Sequence, residues 1–193
     1  MTQAWSRDQL VEATKNGQVD TVILAFTDHY GRLLGKRLDA EFFLEDSSGT
    51  HACDYLLTVD MEMQPVEGYD FSNWDLGYGD LHLTPDMKTL RPVPWLDRTA
   101  LILCDLVTTG GDLIPVGPRS ILRMQIQRLQ SLDVEAMAAS ELEYFLYRTS
   151  YRDAAKGDYR NLEAAGWYVE DYHLLQGART EDLNGTFRRH LKD

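Results

Sequence analysis

Ser140-Glu141-Leu142-Glu143-Tyr144-Phe145-Leu146-Tyr147 sets two carboxylates one residue apart in a run of strand-forming residues. Side chains alternate along a strand. Glu141 and Glu143 are therefore expected on one face, about 7 Å apart at Cα, with Leu142 and Tyr144 turned to a core. Two acids on one face repel each other and cost energy to desolvate. A hard divalent cation, Mg²⁺ or Mn²⁺, removes that cost because it takes oxygen ligands. The same spacing also fits two solvated acids on an ordinary strand face, and spacing alone does not choose between them.

Outward from this stretch the pattern is legible in most places. Thr99 to Val107 is the strongest strand signal in the chain. Val19 to Phe26 and Leu33 to Leu38 flank the turn Asp28-His29-Tyr30-Gly31 and predict a hairpin. Asp28 reads as a turn residue bonding its own backbone. Ser6-Arg7-Asp8-Gln9 has the form of a capping box, opening a helix that stops at Gly17. Asp39 can cap a short helix through Phe42, Phe43 and Leu44.

Asp46 to Tyr78 shows no period and is expected as a long irregular loop, although it holds Tyr55, Leu56, Leu57, Tyr69, Phe71 and Trp74. Leu81 to Thr84 alternates as a short strand, and Pro118 is a helix N1 residue. Val134 to Ala138 is expected as a strand leading into the Glu141 strand. Thr180 is expected to cap a last helix with Leu183, Phe187 and Leu191 on one face.

Composition narrows the classes. The chain has 193 residues and a hydrophobic fraction of 44%, enough for a packed core. Lys plus Arg is 19 against 31 for Asp plus Glu, a net charge of −12. That charge argues against nucleic acid or an anionic membrane as partner. Of the two cysteines, Cys104 sits in an apolar strand, and no Cys-x-x-Cys pair suggests zinc. No apolar run approaches the roughly 20 residues of a membrane span, and no secretory start is visible, so the expected compartment is cytoplasmic.

The Glu141 stretch resembles the E-x-E-F-F-L strand of the glutamine synthetase family. Four further pieces resemble the same family in the same order. They are Asp28-x-x-Gly31 after an apolar strand, Gly79-Asp80 leading to Thr84-Pro85-Asp86, Thr89-Leu90 leading to Pro94-Trp95, and Pro118-Arg119 opening a helix. The resemblance covers nearly the whole chain.

It implies an α+β chain in two parts. Residues 1–106 would form a small β-grasp-like N-terminal domain. Residues 107–193 would form the opening portion of a glutamine synthetase-type antiparallel α+β catalytic domain, cut short. The implied activity is that of an ATP-dependent ligase of nitrogen metabolism, joining the glutamate γ-carboxylate to ammonia or an amine through a γ-glutamyl phosphate. By resemblance Glu141 would hold the metal facing the nucleotide phosphates, and Glu143 the metal facing the transferred phosphoryl group.

The family's further ligands come from strands beyond this sequence. Glu170-Asp171 is adjacent rather than alternately spaced and is read as a solvated loop, and His173 and His190 lack ligand-spaced partners. The chain is therefore expected to be inactive by itself. Where relatives that use free ammonia often carry Asp-Gly-Ser-Ser, this chain has Val66-Glu67-Gly68-Tyr69-Asp70-Phe71-Ser72. Either Glu67 or Asp70 would then serve the ammonium or amine side, and the pattern looks more like branches that glutamylate amines or polyamines. A complete protein is expected to be a homo-oligomeric ring, with the 46–78 loop meeting the next subunit. The alternative is a non-catalytic regulatory or oligomerisation module derived from the same family. Arg119 is read as a surface or salt-bridged arginine in preference to a phosphate ligand.

Overall fold

The computed structural model of the chain describes residues 4–166 and 177–192. Glu170, Asp171 and His173 lie outside the described residues, as does the side chain of His190. The chain divides into two compact units, Gln3–Ala136 and Met137–Asp193 with Met1–Thr2.

The first unit is a mixed α/β structure around a six-stranded sheet. Its elements are α1 (Arg7–Lys15), β1 (Thr21–Thr27), β2 (Leu33–Asp39), α2 (Ala40–Glu45), β3 (Thr50–Cys53), β4 (Asp80–Pro85), β5 (Arg91–Pro92), β6 (Thr99–Val107) and α3 (Pro118–Gln130). The strand order is β2-β1-β6-β4-β3, with β5 paired to β6. β1 and β2 form the expected antiparallel hairpin, running from Thr21↔Asp39 to Thr27↔Leu33. β1 and β6 are parallel, Thr21↔Thr99 to Ala25↔Leu103. β6 continues past β1 to pair antiparallel with β4, His82↔Val107 to Pro85↔Cys104.

The apolar run of β6 follows from this central place. One face turns Ala100, Ile102, Cys104 and Leu106 into the main core, with Leu10 of α1, Phe43 of α2, and Val22, Leu24 and Leu83. The other face packs Leu101 and Leu103 with Ile23, Ala25 and Val93. A strand covered on both faces needs apolar residues at successive positions. Each fully buried Leu or Ile contributes about 2 kcal/mol of transfer free energy.

The helix ends follow their local sequence. Ser6 Oγ accepts from the Gln9 amide at 3.2 Å while Gln9 Oε1 accepts from the Ser6 amide at 2.7 Å, completing the capping box. Asp39 Oδ1 accepts from the Phe42 amide at the start of α2.

Three turns share one hydrogen-bond pattern. In Asp28–Arg32, Asp60–Gln64 and Thr108–Asp112 the first side chain accepts from the amides two and four residues on. The first amide donates to the fifth carbonyl, and the fourth amide donates to the first carbonyl. The fourth residue has positive φ: Gly31 at 80°, Gly111 at 89° and Met63 at 65°. Glycine takes that conformation without a Cβ penalty, and methionine does not.

One expectation for this unit changes. Asp46–Tyr78 is not wholly irregular. It holds β3, a 3₁₀ turn at Asp54–Leu57 and a bridge between Val59 and Pro65. Leu57 is buried and Phe71 packs against the core, while Trp74 is 82% exposed.

The second unit contains α4 (Tyr151–Lys156) and α5 (Ala178–Lys192). Ser150 caps α4 through the Asp153 amide. α5 begins at Ala178, so Thr180 lies inside the helix rather than at its cap. Among the described residues, the expected strands at Val134–Ala138 and at Ser140–Tyr147 do not form, and of the latter stretch Tyr147 alone makes a bridge, with Ala164. No strand lies beside the stretch among the described residues; at its end the Leu146 carbonyl accepts from the Ala165 amide at 2.9 Å. Leu142 is 59% and Phe145 58% exposed instead of turned to a core.

Candidate functional site

Glu141 and Glu143 stand on this irregular backbone, both exposed. The alternation that would put them on one face is a property of strands, and no strand forms there. Nearby Tyr144 is fixed: its hydroxyl donates to Asn184 Oδ1 at 2.8 Å and its ring meets Phe187 edge-on at 4.9 Å. Among the described residues no three His, Cys, Asp or Glu side chains gather as a metal group. The two carboxylates are hard oxygen donors of the kind Mg²⁺ and Mn²⁺ take, but two fill only part of an octahedral set.

Glu67 and Asp70 belong to the first unit, on an exposed tip. The loop is held at both ends. On one side the Val66 amide donates to the Thr58 carbonyl, and Val59 bridges Pro65. On the other, Ser72, only 1% exposed, donates its hydroxyl to Asp54 Oδ1 at 2.7 Å. Between these anchors Glu67, Gly68, Tyr69 and Asp70 face water.

A third cluster joins pieces that lie far apart in sequence. Arg119, at the start of α3, donates to Asp86 and, through Nε at 2.8 Å, to Asp105 Oδ1. Arg123, one turn on, donates to Asp105 Oδ2 at 2.6 Å. The Thr84-Pro85-Asp86 and Pro118-Arg119 motifs thus meet across β6. Arg119 is committed to two carboxylates, which answers the question its helix-start position raised: it is salt-bridged. Beside it a mostly apolar groove of about 260 Å³ runs past Ala25, Thr27, Leu103 and Leu122. Cys104 also borders the groove, but its side chain turns into the main core, where burial pushes its thiol up to about 12.

The sequence reading missed Arg32. Its Nε donates to Asp28 Oδ2 at 2.7 Å, and its two Nη groups donate to the Met61 and Asp60 carbonyls at 2.7 and 3.0 Å. Burial pushes the Asp28 carboxyl up, but the Arg32 side chain, the Arg32 and Tyr30 amides and the Arg32 charge together hold it below the usual value of 3.8. Asp28 therefore is the turn residue that its sequence suggests, with a partly buried ion pair added. An aspartate two to four residues before an arginine carries no mark of which distant carbonyls that arginine will reach.

No protein-family model matches the chain. It is 42% identical over 177 residues to the gamma-glutamylethanolamide synthetase GlnA4 of Streptomyces coelicolor, covering 91% of this chain and 38% of that protein. It is 32% identical over 177 residues to the glutamate–isopropylamine ligase of a Pseudomonas species, covering 91% of this chain and 39% of that protein. The solved structure described as "GmaS/ADP complex-Conformation 1" aligns at a TM-score of 0.48 and 21% identity, over 64% of this chain and 26% of that one. The chain thus spans somewhat more than a third of the length of the curated relatives it matches. Those two homologues are glutamate–amine ligases, a third that matches over 179 residues at 25% identity is a type-1 glutamine synthetase of Dictyostelium discoideum, and the homologues of this chain are members of the glutamine synthetase family.

Proposed function

We propose that the chain is part of an ATP-dependent ligase that joins the glutamate γ-carboxylate to an amine. The observation that carries this is the 42% identity to a gamma-glutamylethanolamide synthetase, supported by the match to an isopropylamine ligase. An amine acceptor is favoured over ammonia because both relatives are named for amines. The absence of Asp-Gly-Ser-Ser ahead of Gly79 points the same way.

In such a reaction the γ-carboxylate attacks the terminal phosphorus of ATP and ADP leaves. The neutral amine then attacks the acyl phosphate, phosphate leaves, and the amine gives up a proton. Glu141 and Glu143 would hold divalent cations, which neutralise the phosphate oxygens during transfer. Their oxygen chemistry fits that task, and further ligands would have to complete each shell. Glu67 or Asp70, exposed on the anchored tip, would attract the ammonium form of the amine and take its proton.

The same reading takes residues 1–106 as a β-grasp-like domain and 107 onward as the start of the catalytic domain. The parallel β1–β6 pair flanked by the β1–β2 hairpin supports the first assignment. A homo-oligomeric ring is part of the proposal, with Trp74 and its exposed neighbours in the 46–78 loop meeting the next subunit.

The test is phosphate release by a full-length protein containing this chain, with glutamate, ATP and a series of amines. Ethanolamine or a short alkylamine is expected to exceed ammonia in kcat/KM, and Glu143→Gln to abolish release. Residues 1–193 alone are expected to release none. Amine-independent release, or full activity in Glu143→Gln, would sink the proposal.

A further inference from the structure

We propose that Arg32 is a positioning residue that sets the tip Glu67–Asp70, and through it the acceptance of the amine. The inference rests on the reading of that tip as the amine side. Its physical basis is the pair of matching turns. Asp28–Arg32 joins β1 to β2 and is part of the sheet. Asp60–Gln64 has the same hydrogen bonds but lies in the loop, and its fourth residue is Met63 at φ 65°. A methionine there meets the Cβ strain that glycine avoids, so the turn needs outside support.

Arg32 supplies that support. Its guanidinium lies 5.2 Å from the Tyr30 ring centroid and donates three directed N–H bonds, two of them across 28–29 residues of sequence. One bond goes to Asp28, which is 2% exposed, and two go to the carbonyls of Asp60 and Met61. A planar fork can satisfy these three acceptors together, whereas a lysine ammonium cannot match their spacing. The tip follows three residues after Gln64. Apart from the Asn73 side chain, which donates to the Tyr69 carbonyl within the same loop, it carries no hydrogen bond of its own among the described residues. Its position is therefore inherited from the clasp, the Val59–Pro65 bridge and the Val66–Thr58 bond on one side, and from Phe71 and Ser72 on the other.

The experiment uses the full-length ligase with Arg32→Lys and Arg32→Ala, read by amide hydrogen exchange and by steady-state kinetics. Exchange at Glu62, Met63 and Gln64, whose amides bond to Asp60, is expected to rise roughly tenfold or more, as for loss of a charged hydrogen bond. Exchange in β6 is expected to stay unchanged, which separates a loosened loop from a failed fold. KM for the amine is expected to rise about tenfold, with kcat and the KM for ATP within about twofold. Unchanged exchange at 62–64 in both variants overturns the proposal. Faster exchange with unchanged amine KM overturns its functional half. Glu67→Gln and Asp70→Asn then locate the fault: if they too leave amine KM unchanged, the amine-side reading has failed, and if either raises it, the coupling through Arg32 has failed.

Discussion

Thr99–Val107 and Val134–Tyr147 both read as strands, and only the first is one. β6 has β1 beside its first half, β4 beside its second, and packed side chains on both faces. The later stretch has a comparable share of apolar and β-forming residues, yet Met137 is 98% exposed and no ladder forms before Tyr147. The difference teaches that strand propensity measures fit to a half-buried pleated surface rather than a preference of the backbone alone. Without neighbours to supply hydrogen bonds and cover, the same residue types stay irregular.

The largest effect should come from the covered strand. Ile102→Ala is expected to cost about 2–5 kcal/mol by urea denaturation, because it opens a cavity in the main core. Leu142→Ala in residues 1–193 should stay within about 0.5 kcal/mol. Equal losses would break the comparison.

Next comes the partly buried ion pair at the hairpin turn. Asp28→Asn is expected to cost about 1–3 kcal/mol, since Arg32 loses its charged partner. The pH dependence has a fixed sign. Asp28 is held below its ordinary 3.8 in the folded chain, so its contribution is complete above that value. It is lost as pH falls through the folded value. Acid titration of wild type and Asp28→Asn should converge at low pH, and parallel curves would remove Asp28 from the account.

Metal binding sharpens the contrast at the uncovered stretch. Two carboxylates on irregular backbone should bind Mn²⁺ weakly in residues 1–193, and Glu141→Gln should weaken it further by calorimetry. Tight binding unaffected by Glu141→Gln would place the metal elsewhere.

The smallest effect is at the matched turns. Met63→Gly is expected to stabilise the chain by about 1 kcal/mol, and Gly31→Ala to destabilise it by a similar amount. Chemical denaturation of the two variants checks this, and a destabilising Met63→Gly would show that the methionine side chain matters more than its backbone.

What the sequence determined by itself is local. The Ser6–Gln9 box, the Asp39 cap, the Asp28 turn and the span of β6 rest on interactions within a few residues, which spacing reveals. The order of short motifs also pointed to the family from which the homologues come, whether or not each piece folds as expected here. The tertiary structure decided the rest. It joined Asp86 to Arg119 across 33 residues and Arg32 to Asp60 across 28, and it left Glu141 and Glu143 off any strand. Such pairings depend on which strands become neighbours. A strand is completed only by the hydrogen bonds and apolar cover that other parts of a fold supply, and no residue pattern within the strand contains them.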